Sequence, residues 1–418
     1  MNGLPDGALD NVKILDLTWV LSGPYAAMVL CDLGAEVIKV ERPPYGDVAR
    51  TTGPFLSRAA DPESSYFFSI NRGKKSTLLD LRKPEGKDLF LRLVEQVDVV
   101  MENFTPGTMD RLGLGYDVLS ARNPRVIYSA TSGFGQTGPD RDKPALDVVV
   151  QGMGGVMSIT GEEGGPPVRP GVSLGDIAAG LFTAIGILAA LRERERSGRG
   201  QMIDISMLDC QVAILENAFA RYSATGEVPK AIGTRHPLST PFQALPTADG
   251  HIVIALGFGL ENIWGVFCAV IDRPELIDDA RFQTPGERTR NHAALEPILN
   301  EAMKQQSTAH WVREFEAINL PCGPLLSIPE VATYPQVAAR EMLREVESPR
   351  GNKLTIPNSP LRLSRTPGGI RGGPPAPGQH TRYVLAELLG LDESQIDAEY
   401  ASGAAVEARE LPPEITGT

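Results

Sequence analysis

The chain has 418 residues, 42% of them hydrophobic and 22% charged, which fits a globular protein too long for one simple core. Its net charge of −12 excludes the basic footprint of a nucleic-acid-binding protein. Its four cysteines and five histidines are scattered, which excludes a zinc site or a disulfide scaffold and favours a reducing cytoplasm. The first ten residues lack the basic and apolar regions of a signal peptide, so we expect a cytoplasmic protein without a membrane partner.

Strand-like and helix-like segments alternate along the first 135 residues. The predicted strands are 12–17, 36–41, 75–81, 98–104 and 124–135, and the predicted helices between them are 22–35 and 85–97. A short apolar strand, a crossover helix and a second strand make a parallel unit. We therefore predict an α/β fold with an open, Rossmann-like parallel sheet that binds its ligands at the carboxyl ends of the strands.

The pattern changes after residue 219, where prolines and glycines mark a linker. A hairpin is predicted around Asp249-Gly250, followed by helices at 260–270, 293–303 and 308–317 and a tight turn at 321–327. These elements predict a second, smaller α+β domain. Further on, the sequence predicts two short strands within 352–364, a Gly/Pro linker at 367–379 and a last helix at 381–389. The predicted organisation is a large domain at 1–219, a linker at 220–230, a small domain at 231–325, a return segment at 326–402 that completes the large domain, and a loose tail at 403–418.

Cationic or polar residues border the predicted strands of the large domain. They are Arg42 after the second strand, Lys74 and Lys75 before the third, and Asn103 and Arg111 after the fourth. Coenzyme A carries a pyrophosphate and a 3′-phosphate that need several such partners. The alternative is that these residues are ordinary surface charges, but their shared placement favours a CoA-like ligand.

A dinucleotide is the first alternative for such a sheet. Glu41 stands at the end of the second strand, where an acid binds the ribose in dinucleotide-binding proteins. However, the turn at 18–27 lacks the G-x-G-x-x-G fingerprint that lets the backbone approach a pyrophosphate. The sequence therefore argues against a nicotinamide cofactor.

Asp176 lies between a Gly-rich turn and an apolar run, 177–191, that is shorter than the roughly 20 residues of a membrane span. This run is predicted to be a buried core helix. A carboxylate at the start of such a helix is ionised at neutral pH, because the reference pKa of Asp is about 3.9, and it can act as a nucleophile without a partner base. The alternative is an ordinary N-cap residue.

Several blocks, in order, resemble the class III CoA-transferases, of the formyl-CoA transferase and carnitine CoA-transferase type. The blocks are VKILDLTWVLSGPYAAMVLCDLGAEVIKVERP from Val12, ENFTPGTMDRLGLGYDVL from Glu102, SGFGQTGP from Ser132, SLGDIAAG from Ser173, SGRGQMIDISMLD from Ser197 and GTRHPLSTPFQALPTADG from Gly233. The resemblance extends from about residue 12 to about residue 389.

This resemblance implies that Asp176 is the catalytic aspartate and that the protein forms an interlocked, ring-like homodimer. It also implies CoA-binding roles for Val20, Leu21, Ser22, Arg42, Lys74, Asn103, Phe104, Arg111 and Phe134. CoA and acyl-CoA would then be substrates, and no permanently bound cofactor is expected.

The implied reaction moves CoA from an acyl-CoA to a free carboxylic acid, through an acyl anhydride and then a CoA thioester of Asp176. Gly135 and Gly175 are candidate backbone N–H donors to the oxyanion. Water must be excluded from the anhydride, and the loops Gly133–Gly138 and Gly257–Gly259 are candidates to cover it. Four cations are candidates to bind a second carboxylate on a small dicarboxylic acceptor, with succinyl-CoA as the expected donor: Arg50, Arg169, Arg235 and His236.

Two other functions compete with CoA transfer. The α-methylacyl-CoA racemases resemble the same family, but they carry a His before an Asp in the block where this chain has Leu146 and Asp147. Without that imidazole, two-base proton exchange lacks one partner. The second alternative is a non-catalytic acyl-CoA-binding protein, against which the intact segment around Asp176 argues.

Overall fold

The computed structural model describes residues 6–56, 62–257 and 263–409, which divide into two compact units. The larger unit contains the described residues up to Val156, the segment Pro170–Ala220 and the residues from Gln336 onward. The smaller unit contains Met157–Arg169 and Arg221–Pro335. This division differs from the predicted one, because 157–169 belongs to the smaller unit and the return segment begins at 336 rather than 326.

The larger unit is built on a six-stranded parallel sheet with the strand order β3-β2-β1-β4-β5-β6. Its strands are β1 (Lys13–Asp16), β2 (Glu36–Glu41), β3 (Lys75–Leu78), β4 (Val99–Glu102), β5 (Ile127–Ser132) and β6 (Met202–Ser206). The order reverses direction between β1 and β4, which is the place where open sheets of this kind bind ligands. The predicted α/β fold with an open parallel sheet is confirmed.

Both faces of the sheet are covered, which explains why its strands are apolar without strict alternation. Ile14 of β1 packs into the hydrophobic cluster on one face, together with Val37 and Val99. The next residue, Leu15, packs into the cluster on the other face with Ile38. Successive strand residues point to opposite faces, so one strand serves both cores.

Seventeen α-helices are assigned in the described residues. In the larger unit they are α1 (Ser22–Asp32), α2 (Ser65–Ile70), α3 (Pro84–Val94), α4 (Thr108–Leu112), α5 (Tyr116–Arg122), α6 (Asp147–Met153), α7 (Leu174–Ser197) and α8 (Met207–Ala213), with α9 (Glu216–Thr225) at the boundary. The smaller unit and the C-terminal part contain α10 (Trp264–Val270), α11 (Pro285–Arg290), α12 (His292–Met303), α13 (Thr308–Ala317), α14 (Ile328–Thr333), α15 (Pro335–Ala339), α16 (Thr381–Leu389) and α17 (Glu393–Ser402).

Helix α7 is the longest element and packs against α1. At their crossing, a Cβ atom on Gly180 would lie 2.8 Å from the carbonyl oxygen of Ser22, so only glycine permits this approach. By length and composition α7 is apolar enough to span a membrane, but half of its most apolar stretch is buried in the protein. The core helix of a globular protein can have the same length and composition, so this feature is weak evidence for a membrane span.

The smaller unit has its own core beneath a three-stranded antiparallel sheet. Its strands are β7 (Phe242–Pro246), β8 (His251–Ala255) and β9 (Cys322–Pro324). The predicted hairpin is β7 with β8, but the segment predicted as a tight turn at 321–327 contains β9, because Cys322–Pro324 pairs with β8. Trp264, Phe267 and Phe315 fill the core below the sheet.

The C-terminal part adds a two-stranded ribbon and two helices to the larger unit. The ribbon pairs β10 (Leu343–Glu347) with β11 (Lys353–Pro357), so one strand of the pair predicted within 352–364 begins earlier than expected. The tail also differs from the expected loose segment at its start, because Ala404 and Ala405 are buried and Ala405 bridges to Leu79.

Candidate functional site

A cavity of about 420 Å³ opens at the carboxyl ends of the central strands, in the larger unit. Its volume lies in the range of small-molecule sites. It is lined by Leu17, Thr18, Trp19, Lys39, Val40, Glu41, Arg42, Gly46, Asp47, Leu79, Asp80, Leu81, Arg82, Phe104, Thr105, Thr108 and Leu112. The cavity therefore lies where the sequence predicted the CoA-like ligand, at the reversal of the strand order.

The turn between β1 and α1 borders this cavity and has an unusual backbone. Val20 has a φ of 66°, a left-handed conformation that is strained for a β-branched residue. Asn103 at the end of β4 holds the turn through Trp19, donating to its carbonyl and accepting from its N–H, both at 2.9 Å. The Nδ2 group of Asn103 also lies 3.3 Å from the hydroxyl of Ser22. Asn103 therefore fixes the turn that was predicted to contact CoA.

Buried charges hold the same turn from the β2 side. The ammonium group of Lys39 donates to the carbonyl of Thr18 at 2.5 Å and pairs with Asp47 at 3.0 Å. Oδ1 of Asp47 accepts the N–H of Val20 at 3.2 Å. Burial lowers the pKa of Lys39, but the carboxylates of Asp47, Asp16 and Glu41 outweigh burial and leave the pKa raised. Lys39 is therefore cationic, and with Asp47 it stabilises the left-handed residue.

The predicted CoA-binding residues divide into those at the cavity and those away from it. Arg42 and Phe104 line the cavity, and the ring of Phe104 lies edge-on to Trp19 at 6.3 Å. No acceptor in the described part of the chain pairs with the exposed guanidinium of Arg42. Arg111 is exposed and donates to the cavity residue Thr108 at 2.8 Å. Phe134 instead packs in a separate apolar cluster with Val150 and Met207, residues outside the cavity lining.

Lys74 is fully buried and does not line the cavity. Its ammonium group donates to Asp16 at 2.9 Å, to the carbonyl of Pro24 at 3.1 Å and to Asn71 at 3.0 Å. Because an ammonium group has three donors, this set is complete. The sequence analysis expected Lys74 to contact CoA, whereas this geometry favours an indirect role, in which Lys74 positions the end of β1. Lys75 pairs with Glu36 and Tyr383.

Glu41 is not placed to bind a ribose. Its carboxylate accepts both the Nε and Nη2 groups of Arg50, at 2.8 and 2.7 Å, and a hydroxyl from Ser76 at 2.5 Å. Burial raises the pKa of Glu41, but Arg50 outweighs burial and brings the pKa to about 2. The only dinucleotide feature in the sequence is thus part of an internal ion pair.

Glu102 supports the segment that carries Asn103 and Phe104. It accepts the N–H of Phe104 at 2.7 Å and the hydroxyl of Tyr128 at 3.1 Å. Burial raises its pKa to about 7, against the opposing effect of these two hydrogen bonds. Sequence analysis did not predict this residue, because a buried acid in a strand cannot be recognised without its partners.

Asp176 is the third residue of α7 and is half-buried. It is therefore not the N-cap, since that position is held by Ser173. Asp147, the first residue of α6, approaches this helix start, and its Oδ1 accepts the backbone N–H of Gly175 at 2.8 Å and that of Asp176 at 3.4 Å. Gln151 holds the second oxygen of Asp147 at 2.7 Å.

The two glycines predicted to stabilise an oxyanion have engaged N–H groups. Gly175 donates to Asp147, and Gly135 donates to the hydroxyl of Ser132 at 3.0 Å. Either amide would have to exchange its acceptor before it could bind a reacting oxygen. Of the loops proposed to cover the site, Gly133–Gly138 is described, whereas residues 258 and 259 of the second loop lie outside the described residues.

Tyr66 of α2 is a half-buried tyrosine that the sequence analysis did not predict. Burial raises the pKa of its half-buried phenol to about 12, with further contributions from the carboxylates of Asp176, Asp47 and Asp147. These contributions place the phenol within electrostatic reach of Asp176 and of the cavity residue Asp47. The cavity and Asp176 both belong to the larger unit.

The four cations expected to bind an acceptor acid lie in different environments. Arg50 is buried against Glu41 and stacks on Phe67 at 3.6 Å. Arg235 pairs with Glu163 and lies 2.9 Å from the ring of His292. Burial lowers the pKa of His236, which leaves its ring neutral at pH 7. Arg169 is exposed.

Within the described residues, no cluster of His, Cys, Asp and Glu could hold a metal ion.

Comparison with known proteins gives a consistent result. Residues 9–381 match the model of CoA-transferase family III. Succinyl-CoA:glutarate CoA-transferase of Mus musculus is 40% identical over 395 residues, which cover 94% of this chain and 89% of the relative. Acetyl-CoA:oxalate CoA-transferase of Acetobacter aceti is 43% identical over 361 residues, covering 86% and 90%. The solved CAIB/BAIF family protein from Brucella suis has a TM-score of 0.82 at 38% identity, covering 92% of this chain and all of its own.

Proposed function

Because this chain belongs to CoA-transferase family III and is a CoA-transferase, we propose that Asp176 carries the transferred groups covalently. The observation that carries the proposal is the placement of Asp176, which lies in the first turn of α7 and in the same unit as the cavity at the strand ends. A helix N-terminus stabilises a carboxylate there, and a carboxylate needs no separate base to attack a thioester.

In the first half of the reaction, a carboxylate oxygen of Asp176 attacks the carbonyl carbon of the acyl-CoA. The C–O bond forms, the C–S bond breaks and the electron pair leaves with sulfur, giving a mixed anhydride and CoA thiolate. A thiolate is an acceptable leaving group because the pKa of a thiol is about 8.5. The thiolate then attacks the aspartyl carbonyl, which releases the donor acid as a carboxylate and leaves CoA as a thioester on Asp176. The acceptor carboxylate reverses both steps.

The cavity at the strand ends is the proposed site of the CoA nucleotide. Arg42 supplies an exposed cation at its rim, and the aromatic rings of Trp19 and Phe104 provide a flat apolar surface next to it. Arg111 adds a second exposed cation through its contact with Thr108. Two cations and an aromatic surface fit the phosphates and the base of CoA.

For the acyl group and the acceptor, we favour succinyl-CoA and a four- or five-carbon dicarboxylate. Two observations support this choice: the mouse relative is named for succinyl-CoA and glutarate, and Arg169 is an exposed cation seven residues before Asp176 in the sequence. A guanidinium group can bind the distal carboxylate through two hydrogen bonds.

A panel of CoA esters and free acids tests this choice. We expect the highest kcat/KM for succinyl-CoA with four- and five-carbon dicarboxylates, and a KM for these acids that rises about tenfold or more in Arg169→Leu, because a charged hydrogen-bond pair is lost. The exposed Arg199→Leu is the matched control and should leave these values unchanged. Transfer to monocarboxylates alone, or an unchanged KM in Arg169→Leu, would disprove this assignment.

The protein is further proposed to function as an interlocked homodimer. On one face of α7, the side chains of Leu181, Ile185 and Leu188 are exposed, with Ile185 58% accessible. On α9, α14 and α15, every described side chain remains at least partly exposed. Exposed apolar side chains of this kind are normally covered by a partner, and the partner that we propose is a second copy of this chain.

Light scattering on the purified protein tests the assembly. We expect the mass of a dimer for the wild-type chain and a loss of dimer in Ile185→Lys, because a lysine cannot be buried in an apolar interface without a partner. Val118→Lys, which changes an exposed valine on α5, is the control and should remain dimeric. A monomeric wild-type protein would rule out the proposal.

A further inference from the structure

The start of α7 is held by a carboxylate that the reaction itself does not use. Asp147 lies 29 residues before Asp176 in the sequence, yet its Oδ1 accepts the N–H groups of Gly175 and Asp176, the first at 2.8 Å. It thereby replaces a local capping residue for the nucleophile's own helix turn. Hydrogen bonds to the backbone of the nucleophile fix the direction in which its side chain leaves the helix.

The contact between α6 and α7 is built closely enough to be specific. A Cβ atom on Gly175 would lie 3.0 Å from Oδ1 of Asp147 and 2.8 Å from a methyl group of Val150. Only glycine allows the two helix starts to approach this far. Gln151, one turn into α6, donates to the other carboxylate oxygen of Asp147 at 2.7 Å, so both oxygens are held. This provides a second role for Gly175, which was predicted only as an oxyanion donor.

The position of Asp147 also places a negative charge beside the nucleophile. Asp147 is buried, so water screens this charge less than it would at the surface. A like charge disfavours the ionised form of a neighbouring carboxylate and makes it more basic. When Asp176 forms the neutral anhydride, its charge leaves with the CoA thiolate, and the repulsion from Asp147 is relieved.

We infer that Asp147 is a positioning residue that orients the first turn of α7 and, through its charge, increases the nucleophilicity of Asp176. The inference rests on the proposed function of Asp176. It extends that function, because it assigns the neighbouring aspartate a role in setting the reactivity of the nucleophile. Repulsion is relieved only along the path from carboxylate to anhydride, so the effect should be on kcat and should leave CoA affinity unchanged.

Other titratable groups on the helices around α7 could also affect the ionisation of Asp176. Tyr66 of α2 lies within electrostatic reach of both aspartates, and its raised pKa of about 12 keeps it neutral through the working pH range. Tyr25 of α1 contacts α7 at Gly180. Asp209 belongs to α8, which also packs on α7, but no hydrogen bond joins it to the described residues 175 and 176. Asp209 is therefore the matched control carboxylate.

The test is the rate of forming the covalent CoA adduct in a single turnover, measured by acid quench and mass spectrometry as a function of pH. The same acyl-CoA donor is used for every variant, so any ionisation of the donor affects all the pH profiles equally. Asp147→Asn keeps an oxygen acceptor for both backbone N–H groups. The Oε1 atom of Gln151 has no hydrogen-bond partner in the described chain, so the Gln151 amide can rotate and accept from the introduced NH2 group. The variant therefore removes mainly the charge.

At low pH the rate should fall as Asp176 takes up a proton, and this acid limb of the pH–rate profile reports the ionisation of Asp176. In Asp147→Asn we expect the acid limb to move down by about one pH unit and the plateau rate to fall about threefold to tenfold. The KM for acyl-CoA should be unchanged. Gln151→Leu should move the limb the other way, because it removes a donor that offsets the charge of Asp147. Asp209→Asn should coincide with the wild type. A purely structural role for Asp147 would lower the rate without moving the limb.

The inference would be overturned if the acid limb of Asp147→Asn coincided with that of the wild type. It would also be overturned if the acid limb of Gln151→Leu did not move or moved to lower pH. The second variant decides the question if Asp147→Asn does not fold. A different result would disprove the proposed function of Asp176: the variant Asp176→Ala would still form the covalent CoA adduct. If Asp176→Ala forms none while the limbs coincide, only the role of Asp147 is disproved.

Discussion

We expect Asp176→Ala to lose CoA transfer by at least about 10⁴-fold while keeping the affinity of the wild type for CoA. The loss follows because no other group can replace a nucleophile that carries both covalent intermediates. Affinity should persist because the cavity is formed by the ends of β1 to β4, and Asp176 is not among the residues that line it. Initial rates and calorimetric titration with CoA measure the two properties separately.

Two further variants sharpen this prediction. Asp176→Asn has nearly the same volume and should be as inactive as alanine, because an amide is a poor nucleophile. Asp209→Ala removes another carboxylate from a helix packed on α7 and should remain active. A large loss of CoA affinity in Asp176→Ala would instead show that the substitution disturbs the cavity, and activity in Asp176→Asn would show that the carboxylate is not the nucleophile.

Lys74→Met is expected to lower the free energy of unfolding by about 3 to 5 kcal/mol, because it leaves the carboxylate of Asp16 buried without its counter-charge. The pair is fully buried at 2.9 Å. Burial raises the pKa of Asp16, but Lys74 and Lys39 outweigh burial and leave the pKa lowered. Without Lys74 that pKa rises, so the loss should be largest near pH 8 and smaller near pH 5, where Asp16 can take up a proton. Denaturant unfolding at the two pH values measures this.

The matched control is Lys353→Met, which breaks an exposed pair with Glu345 and should change stability little. The double variant Lys74→Met with Asp16→Leu should be less destabilised than Lys74→Met alone, because no unpaired charge remains. If Lys74→Met were as stable as the wild type and only its KM for acyl-CoA rose, Lys74 would be a direct CoA ligand, as the sequence analysis expected.

The architecture could be predicted because it depends on local patterns. The segment 36–41 carries β-branched residues bounded by Gly34 and Pro43, and it forms β2 within the predicted limits. The alternation of such strands with helices leads to a parallel sheet, which the structure confirms. β9 was missed because a three-residue strand with Gly323 and Pro324 has the composition of a turn and becomes a strand only through its pairing with β8.

The resemblance to the class III CoA-transferases and the enzymatic function are confirmed by the family match and the relatives. The individual site residues remain predictions, and the structure refines what each can do. Lys74 immediately precedes β3, and its side chain reaches Asp16 and not the cavity. A charge near a strand in the sequence does not reveal whether it pairs inside the protein or meets a ligand.

The supporting residues could not be predicted because their partners are distant in the sequence. Asp147 contacts the start of α7 across 29 residues, and Asn103 holds Trp19 across 84. The strain at Val20 is likewise a property of the folded chain, since valine gives no local signal for a left-handed backbone. Sequence patterns predict the sheet and a candidate nucleophile, whereas tertiary contacts determine the geometry around them.

The most direct test of the covalent mechanism is mass spectrometry of the acid-quenched protein after mixing with acyl-CoA alone. We predict that the peptide containing Asp176 gains the mass of CoA less one water, and that the gain disappears in Asp176→Ala. The same adduct in Asp176→Ala, or an adduct on a different residue, would contradict the account.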